Sequence, residues 1–149
     1  DRASVRDEAN ALLAGFEATP TGLLSSYPGG YWPCDNVVGL AALHRADTLV
    51  DVPGTDAVQA AWTSRLDALR DQATGLLPHQ TDAGGTALDG PRATSQTIIQ
   101  TFWPEVDPAL AARDYARYRD TFVVGSDSSG CASIRTTARP AVTPTPASS

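Results

Sequence analysis

Gly29-Gly30-Tyr31-Trp32-Pro33-Cys34-Asp35-Asn36, running directly into Val37-Val38-Gly39-Leu40-Ala41-Ala42-Leu43, decides the reading of this chain. The second half is apolar nearly all round a helical wheel, and such a helix is buried on most of its sides. The first half crowds two aromatic rings, a thiol, a carboxylate and an amide onto the start of that helix. Asp35 is a good N-cap, which predicts a helix from Asp35 to about Val50. A cap does not need Tyr-Trp-Pro-Cys in front of it. A loop of that composition suits a polar ligand held against an aromatic wall.

Working outward, Ser4 to Ala18 carries Val5, Ala9, Leu12, Leu13 and Phe16 at helical spacing, with Ser4 as cap and Asp7 and Glu8 in the first turn. Thr19 to Pro33 is dense in Pro and Gly and reads as a loop. Pro53 and Gly54 break the chain again. Thr55 or Asp56 then opens a third helix, to about Thr74, with Val58, Ala61, Trp62, Leu66 and Leu69 on one face. Its wet face holds Arg65, Asp67, Arg70 and Asp71, and Gly75 ends it. A second long loop runs from Leu76 to Arg92. Thr94 or Ser95 caps a fourth helix, Gln96 to Trp103, which Pro104 stops. Asp107 with Pro108 opens a fifth, to about Val124, with Leu110, Ala111, Tyr115, Tyr118 and Phe122 as its stripe. Its wet side is Arg113, Asp114, Arg117, Arg119 and Asp120.

The helices alternate outer, inner, outer, inner, outer. Each inner helix follows a long loop, and the two inner helices start about sixty residues apart, which is the pattern of stacked helical hairpins. The expected fold is all-α: helical hairpins of an incomplete α/α toroid over residues 1–124, with both long loops on one rim. From about Gly125 to Ser149 the chain turns to Ser, Thr, Pro, Ala and Arg, with almost no large apolar side chain. That predicts a disordered Ser/Thr/Pro-rich tail. The alternative is a frameshifted end, since GC-rich codons for this stretch allow a domain-like sequence one base back.

A chain of 149 residues is long enough for one domain with a core of its own. Its net charge is −6, and all 11 basic residues are Arg. No basic patch is present to neutralise phosphates, which argues against a nucleic-acid partner. No apolar run approaches the ~20 residues that span a bilayer. Met is absent, so a processed form or a fragment is expected. Cys34 and Cys131 are too few for a disulfide framework, and Cys34 reads as a free thiol although pairing is open to it in an oxidising compartment.

Two constellations carry candidate chemistry. In the first, Asp35 is either the helix cap or a base held ionised by the helix dipole. Cys34 is either a small buried hydrophobe or a thiol activated near a helix start. Tyr31 and Trp32 are either loop anchors or a sugar-type platform, with Asn36 beside them to bind ligand. The second constellation runs from Pro78-His79-Gln80-Thr81-Asp82 to Asp89-Gly90-Pro91-Arg92-Ala93-Thr94-Ser95. His79 with an Asp is the usual pair for proton transfer near neutral pH. Asp82 adds a ligand acceptor, and Arg92 suits a carboxylate or phosphate. The structural alternatives are His79 bonded to backbone, Asp82 closing a turn and Arg92 paired with Asp89. A mixed metal site from Cys34, Asp35, His79 and Asp82 is the rival use of the same atoms, but no compact ligand pair supports it, so no metal and no cofactor are expected. P-loop, GxGxxG and GxSxG patterns are absent.

Tyr31-Trp32-Pro33-Cys34-Asp35-Asn36, Pro78-His79-Gln80-Thr81-Asp82 and Gly90-Pro91-Arg92-Ala93-Thr94-Ser95 together resemble bacterial, often actinobacterial, envelope-associated proteins on the α/α toroid, grouped loosely with linalool dehydratase/isomerase. The resemblance covers residues 5–124. It implies a pocket at the toroid mouth, with Cys34, Asp35 and His79 there, and acid/base chemistry by Asp, His, Tyr and sometimes Cys. It also implies a location outside the cytoplasm or at the envelope.

The expected function is therefore an enzyme-like domain that binds a polar or sugar-like small ligand, a carbohydrate or terpenoid alcohol, in a rim cavity. Asp35 acts as base, His79 as proton shuttle with Cys34 beside them, and the reaction is that of a lyase, an isomerase or a glycoside-active enzyme. A catalytically inert binding or scaffold module, or a truncated non-functional fragment, is the other reading. A homo-oligomer is compatible with either.

Overall fold

The computed structural model describes residues 1–126 and 132–134, and five helices account for most of them. Helix α1 spans Arg2–Ala18, α2 Pro33–Val50, α3 Thr55–Leu69, α4 Ala93–Val106 and α5 Pro108–Phe122. Two short antiparallel ladders join them. Strand β1 (Gln80–Thr81) pairs with β2 (Ala87–Asp89), and β3 (Val123–Ser126) with β4 (Ala132–Ile134). The protein is mostly helical, as the apolar spacing predicts. None of the described helices is long and apolar enough to cross a membrane.

The two apolar helices stand side by side. Helix α2 packs along α4, α1 flanks α2, α5 flanks α4, and α3 closes over α1 and α2. Val37, Leu40, Leu43, Ile99 and Trp103 are wholly buried at their contact and around it. Trp62 of α3 meets Trp103 of α4 edge to face, with ring centroids 5.6 Å apart. A smaller cluster, Leu76, Ala93, Tyr118 and Phe122, holds α5 against the start of α4.

Helix ends depart from expectation for identifiable reasons. Asp1, not Ser4, caps α1 by accepting from Ala3 N–H. Helix α2 starts at Pro33, whose missing N–H is no loss in a first turn. Trp32 therefore takes the cap position and Asp35 falls inside the first turn rather than capping it. Likewise α4 starts at Ala93 behind Arg92, so neither Thr94 nor Ser95 is its cap. Pro104 lies inside the last turn of α4, and the helix runs on to Val106.

Helix α3 ends at Leu69, five residues short of Thr74. The chain turns instead on Asp71, whose carboxylate accepts from both Thr74 N–H and Thr74 Oγ1–H. Arg70 swings inward and donates to the Gly75 carbonyl at 2.7 Å and to Asp114 on α5 at 3.1 Å. Arg70 and Asp114 were both expected on wet faces, yet their side chains are 7% and 2% exposed. Each buries its charge against the other, and Arg117 adds a second contact to Asp114 at 3.0 Å. Conversely, Tyr115, expected inside, is exposed.

The tail expectation falls mostly on residues 127–131 and 135–149, outside the described residues. Where the chain beyond α5 is described it forms the β3–β4 ladder: Val123 opposes Ile134, Val124 opposes Ser133 and Ser126 opposes Ala132.

Candidate functional site

The loops before α2 and α4 meet. The Tyr31 carbonyl accepts from Thr81 N–H at 2.9 Å, which bridges the first loop to β1. His79 N–H in turn bonds the Asp89 carbonyl at 3.1 Å, so the β1–β2 hairpin carries His79 toward the helix starts. The His79 ring lies edge-on to Trp32, centroids 6.5 Å apart, and Trp32 meets Tyr27 in the same way at 5.6 Å. Gly30 allows this arrangement, because a Cβ there would overlap the Trp32 indole.

A chain of polar side chains crosses the junction of the two central helices. The Cys34 thiol donates to Asp35 Oδ1 at 3.6 Å. Ser95, in the first turn of α4, stands near enough to Cys34 to favour its ionised form. Ser95 Oγ is itself hydrogen-bonded to His79 Nδ1. Asp35, Cys34, Ser95 and His79 thus form a series of two hydrogen-bonded pairs set side by side, Asp35–Cys34 and Ser95–His79, with Asp35 exposed, His79 half-buried, and Cys34 and Ser95 buried. The ring nitrogen Nδ1 is occupied by Ser95, which leaves Nε2 for a ligand.

Burial pushes the Cys34 thiol up to about 11, and the Asp35 charge and hydrogen bond act in the same direction. The Asp35 N–H and the Ser95 hydroxyl oppose the rise without cancelling it. Cys34 is then a protonated donor at neutral pH, the opposite of an activated nucleophile. This corrects the thiolate reading of its position near a helix start: loss of water outweighs the helix dipole.

The remaining candidates are drawn into structure. Asn36 is 2% exposed. Its Oδ1 accepts from Leu24 N–H at 2.8 Å, and its Nδ2 donates to the Leu24 and Trp32 carbonyls. It ties the loop down and has no group left for a ligand. Asp82 closes the β1–β2 turn, its Oδ1 accepting from Gly84 N–H and Thr86 N–H. Arg92 is ion-paired with Asp89. Tyr31 is half-buried and contributes its backbone carbonyl to the bridge. Among the described residues, no three His, Cys, Asp or Glu side chains gather as a metal site.

Asp35 also borders a cleft of about 320 Å³ between α1 and α2, lined further by Ser25, Ser26, Tyr27 and Gly39. Tyr27 and Ser26 are not singled out by the sequence, and Ser95 only as a helix cap. Ser95 carried a signal there, as the residue of the second inner helix that matches Asp35 of the first at an offset of sixty.

No known protein-family model matches this chain, and no curated protein sequence matches it.

Proposed function

We propose that this chain is an enzyme-like helical domain that binds a polar, sugar-like small ligand at the rim where the two loops meet and moves a proton on it. The series Asp35–Cys34–Ser95–His79 carries the reading. It sets an exposed carboxylate and an imidazole on either side of two buried groups, Cys34 hydrogen-bonded to Asp35 and Ser95 hydrogen-bonded to His79, so both ends of an acid/base pair are held at one rim. Asp35 serves as the base facing the 320 Å³ cleft. His79 returns the proton through Nε2, and Trp32 with Tyr27 forms the aromatic wall against which a sugar face rests. Ser95 and Cys34 are positioning residues. The helices are read as hairpins of an incomplete α/α toroid of the linalool dehydratase/isomerase-like group, which places acid/base chemistry of the lyase, isomerase or glycoside-active kind at such a rim.

One observation favours the rival, an inert binding module: Asn36, Asp82 and Arg92 all spend their polar groups on the protein itself. A single experiment separates the two. Methyl glycosides and short polyols are titrated by calorimetry, and mixtures with any binder are followed for product by NMR. The enzyme reading expects turnover that falls about a hundredfold or more in Asp35→Asn and in His79→Gln. Binding without turnover makes the inert module the better account, and no binding at all refutes both.

A further inference from the structure

A second cleft, of about 280 Å³, lies outside the rim site, between the last turn of α1, the loop after it and α3; Phe16, Glu17, Gly22, Val58, Trp62 and Arg65 line it. Phe16, Val58 and Trp62 are core residues, so its floor is apolar. Two donors stand together at one end. Trp62 is 2% exposed, and its Nε1–H is buried with no acceptor in the protein. Buried indole N–H groups ordinarily find a partner. Arg65, one turn further along α3, is exposed and enters no ion pair among the described residues. A Cβ on Gly22 would stand 3.1 Å from Arg65 Nη1 and 3.9 Å from Trp62 Nε1, so both donors face the same wall. Gly22 has φ +74°, a left-handed turn residue, and its bare backbone lets them approach.

We infer that this cleft binds a small organic carboxylate with an apolar tail. The carboxylate accepts from Trp62 Nε1–H and pairs with the Arg65 guanidinium, whose fork suits it. Arg65 is exposed, so its side chain turns to admit the anion beside the indole N–H. The tail lies over Phe16 and Val58. Glu17 fixes the direction: its Oε1 leans toward Gly54 at the opposite end of α3, 3.8 Å from where a Gly54 Cβ would stand. Its charge keeps the carboxylate at the Arg65 end and disfavours a dianion. This site stands independently of the acid/base reading at the rim.

Hexanoate, hexan-1-ol and hexylammonium, three probes with one tail, test it on the full chain by NMR of the three indole N–H signals, assigned by Trp→Phe variants. Hexanoate should shift the Trp62 Nε1–H signal downfield in a saturable way and leave Trp103 in place, with hexan-1-ol and hexylammonium weaker. Arg65→Ala, an exposed change, should weaken hexanoate about tenfold or more, and Arg113→Ala on α5 should not. Equal binding of hexan-1-ol, undiminished binding to Arg65→Ala, or an unmoved Trp62 signal would each overturn the assignment.

Discussion

The protonation of Cys34 is the sharpest test of how the rim is built. A thiol at its ordinary value of 9.0 is about 1% ionised at pH 7, and one held near 11 is ionised about a hundredfold less. Three causes act together: burial at 4% exposure, the Asp35 charge, and the hydrogen bond to Asp35 Oδ1. The measurement is the ¹³Cβ shift of Cys34 against pH, in a Cys131→Ala background so that one cysteine reports. Its midpoint should fall near 11. Asp35→Asn removes the charge and weakens the acceptor, so its midpoint should drop toward 9 while burial holds it somewhat above. A wild-type midpoint at or below 9 would refute the reasoning, and only one below about 7 would restore a thiolate nucleophile.

The same shift has a consequence for stability, with a definite sign. The folded value lies above the unfolded one, so between pH 9 and 11 the folded chain binds the proton that the unfolded chain has lost. The contribution is complete below pH 9 and disappears as pH rises through 11, about 2–3 kcal/mol at most for a shift of that size. Urea unfolding of wild type against Cys34→Ala across pH 8–11 should show the two stabilities converging at the alkaline end.

Asp114→Ala leaves the buried Arg70 guanidinium only the exposed Asp67 and the Gly75 carbonyl as partners, its Nη2 having none, and should lower unfolding free energy by about 3 kcal/mol in a urea melt; Arg70→Met with Asp114→Leu should restore most of it. A loss of less than about 1 kcal/mol in the single variant would mean the pair is solvated. Asn36→Ala leaves the Leu24 N–H and the Leu24 carbonyl without these partners and removes one donor from the Trp32 carbonyl, and Gln96→Ala leaves the Leu77 carbonyl. Each should cost about 1–3 kcal/mol, with Asn36→Ala the larger, and hydrogen exchange should quicken first in the loop ahead of the altered helix.

Helices were legible because apolar spacing is a local property: Val58, Trp62, Leu66 and Leu69 of α3 are buried as its spacing marks, while Ala61 of the same face is exposed and Gln59 is buried instead. Asp114 shows where residue type misleads. It stands at the i+3 position from Ala111 and four before Tyr118, inside the stripe, and spacing alone would bury it. Its charge argued for water, and only Arg70, forty-four residues earlier, reverses that argument. The short end of α3 was hidden for the same reason: Arg70 leaves the helix to reach a partner that no local window contains. The start of α2 was misjudged differently. Asp35 is the better cap by composition, but Pro33 fits the first turn and moves the boundary two residues forward.

The rim was half legible because it is assembled from two equivalent places in the chain. Helices α2 and α4 begin at Pro33 and Ala93, and at that offset of sixty Asn36 matches Gln96. Both are buried amides, and both reach back to the loop ahead of their own helix, Asn36 to Leu24 and Gln96 to Leu77. Each amide fixes a loop to a helix, and the packing of α2 on α4 then brings the two loops together. At the same offset Asp35 matches Ser95. The polar series therefore draws Asp35 and Cys34 from one hairpin and Ser95 and His79 from the flanks of the next. Neither half is a motif alone: Cys-Asp opens many helices, and a serine in a first turn is ordinary. On the proposed reading the chemistry arises at this seam, so the variants that separate turnover from folding are the ends of the series, exposed Asp35 and half-buried His79, and those that lower both are the buried members, Cys34 and Ser95.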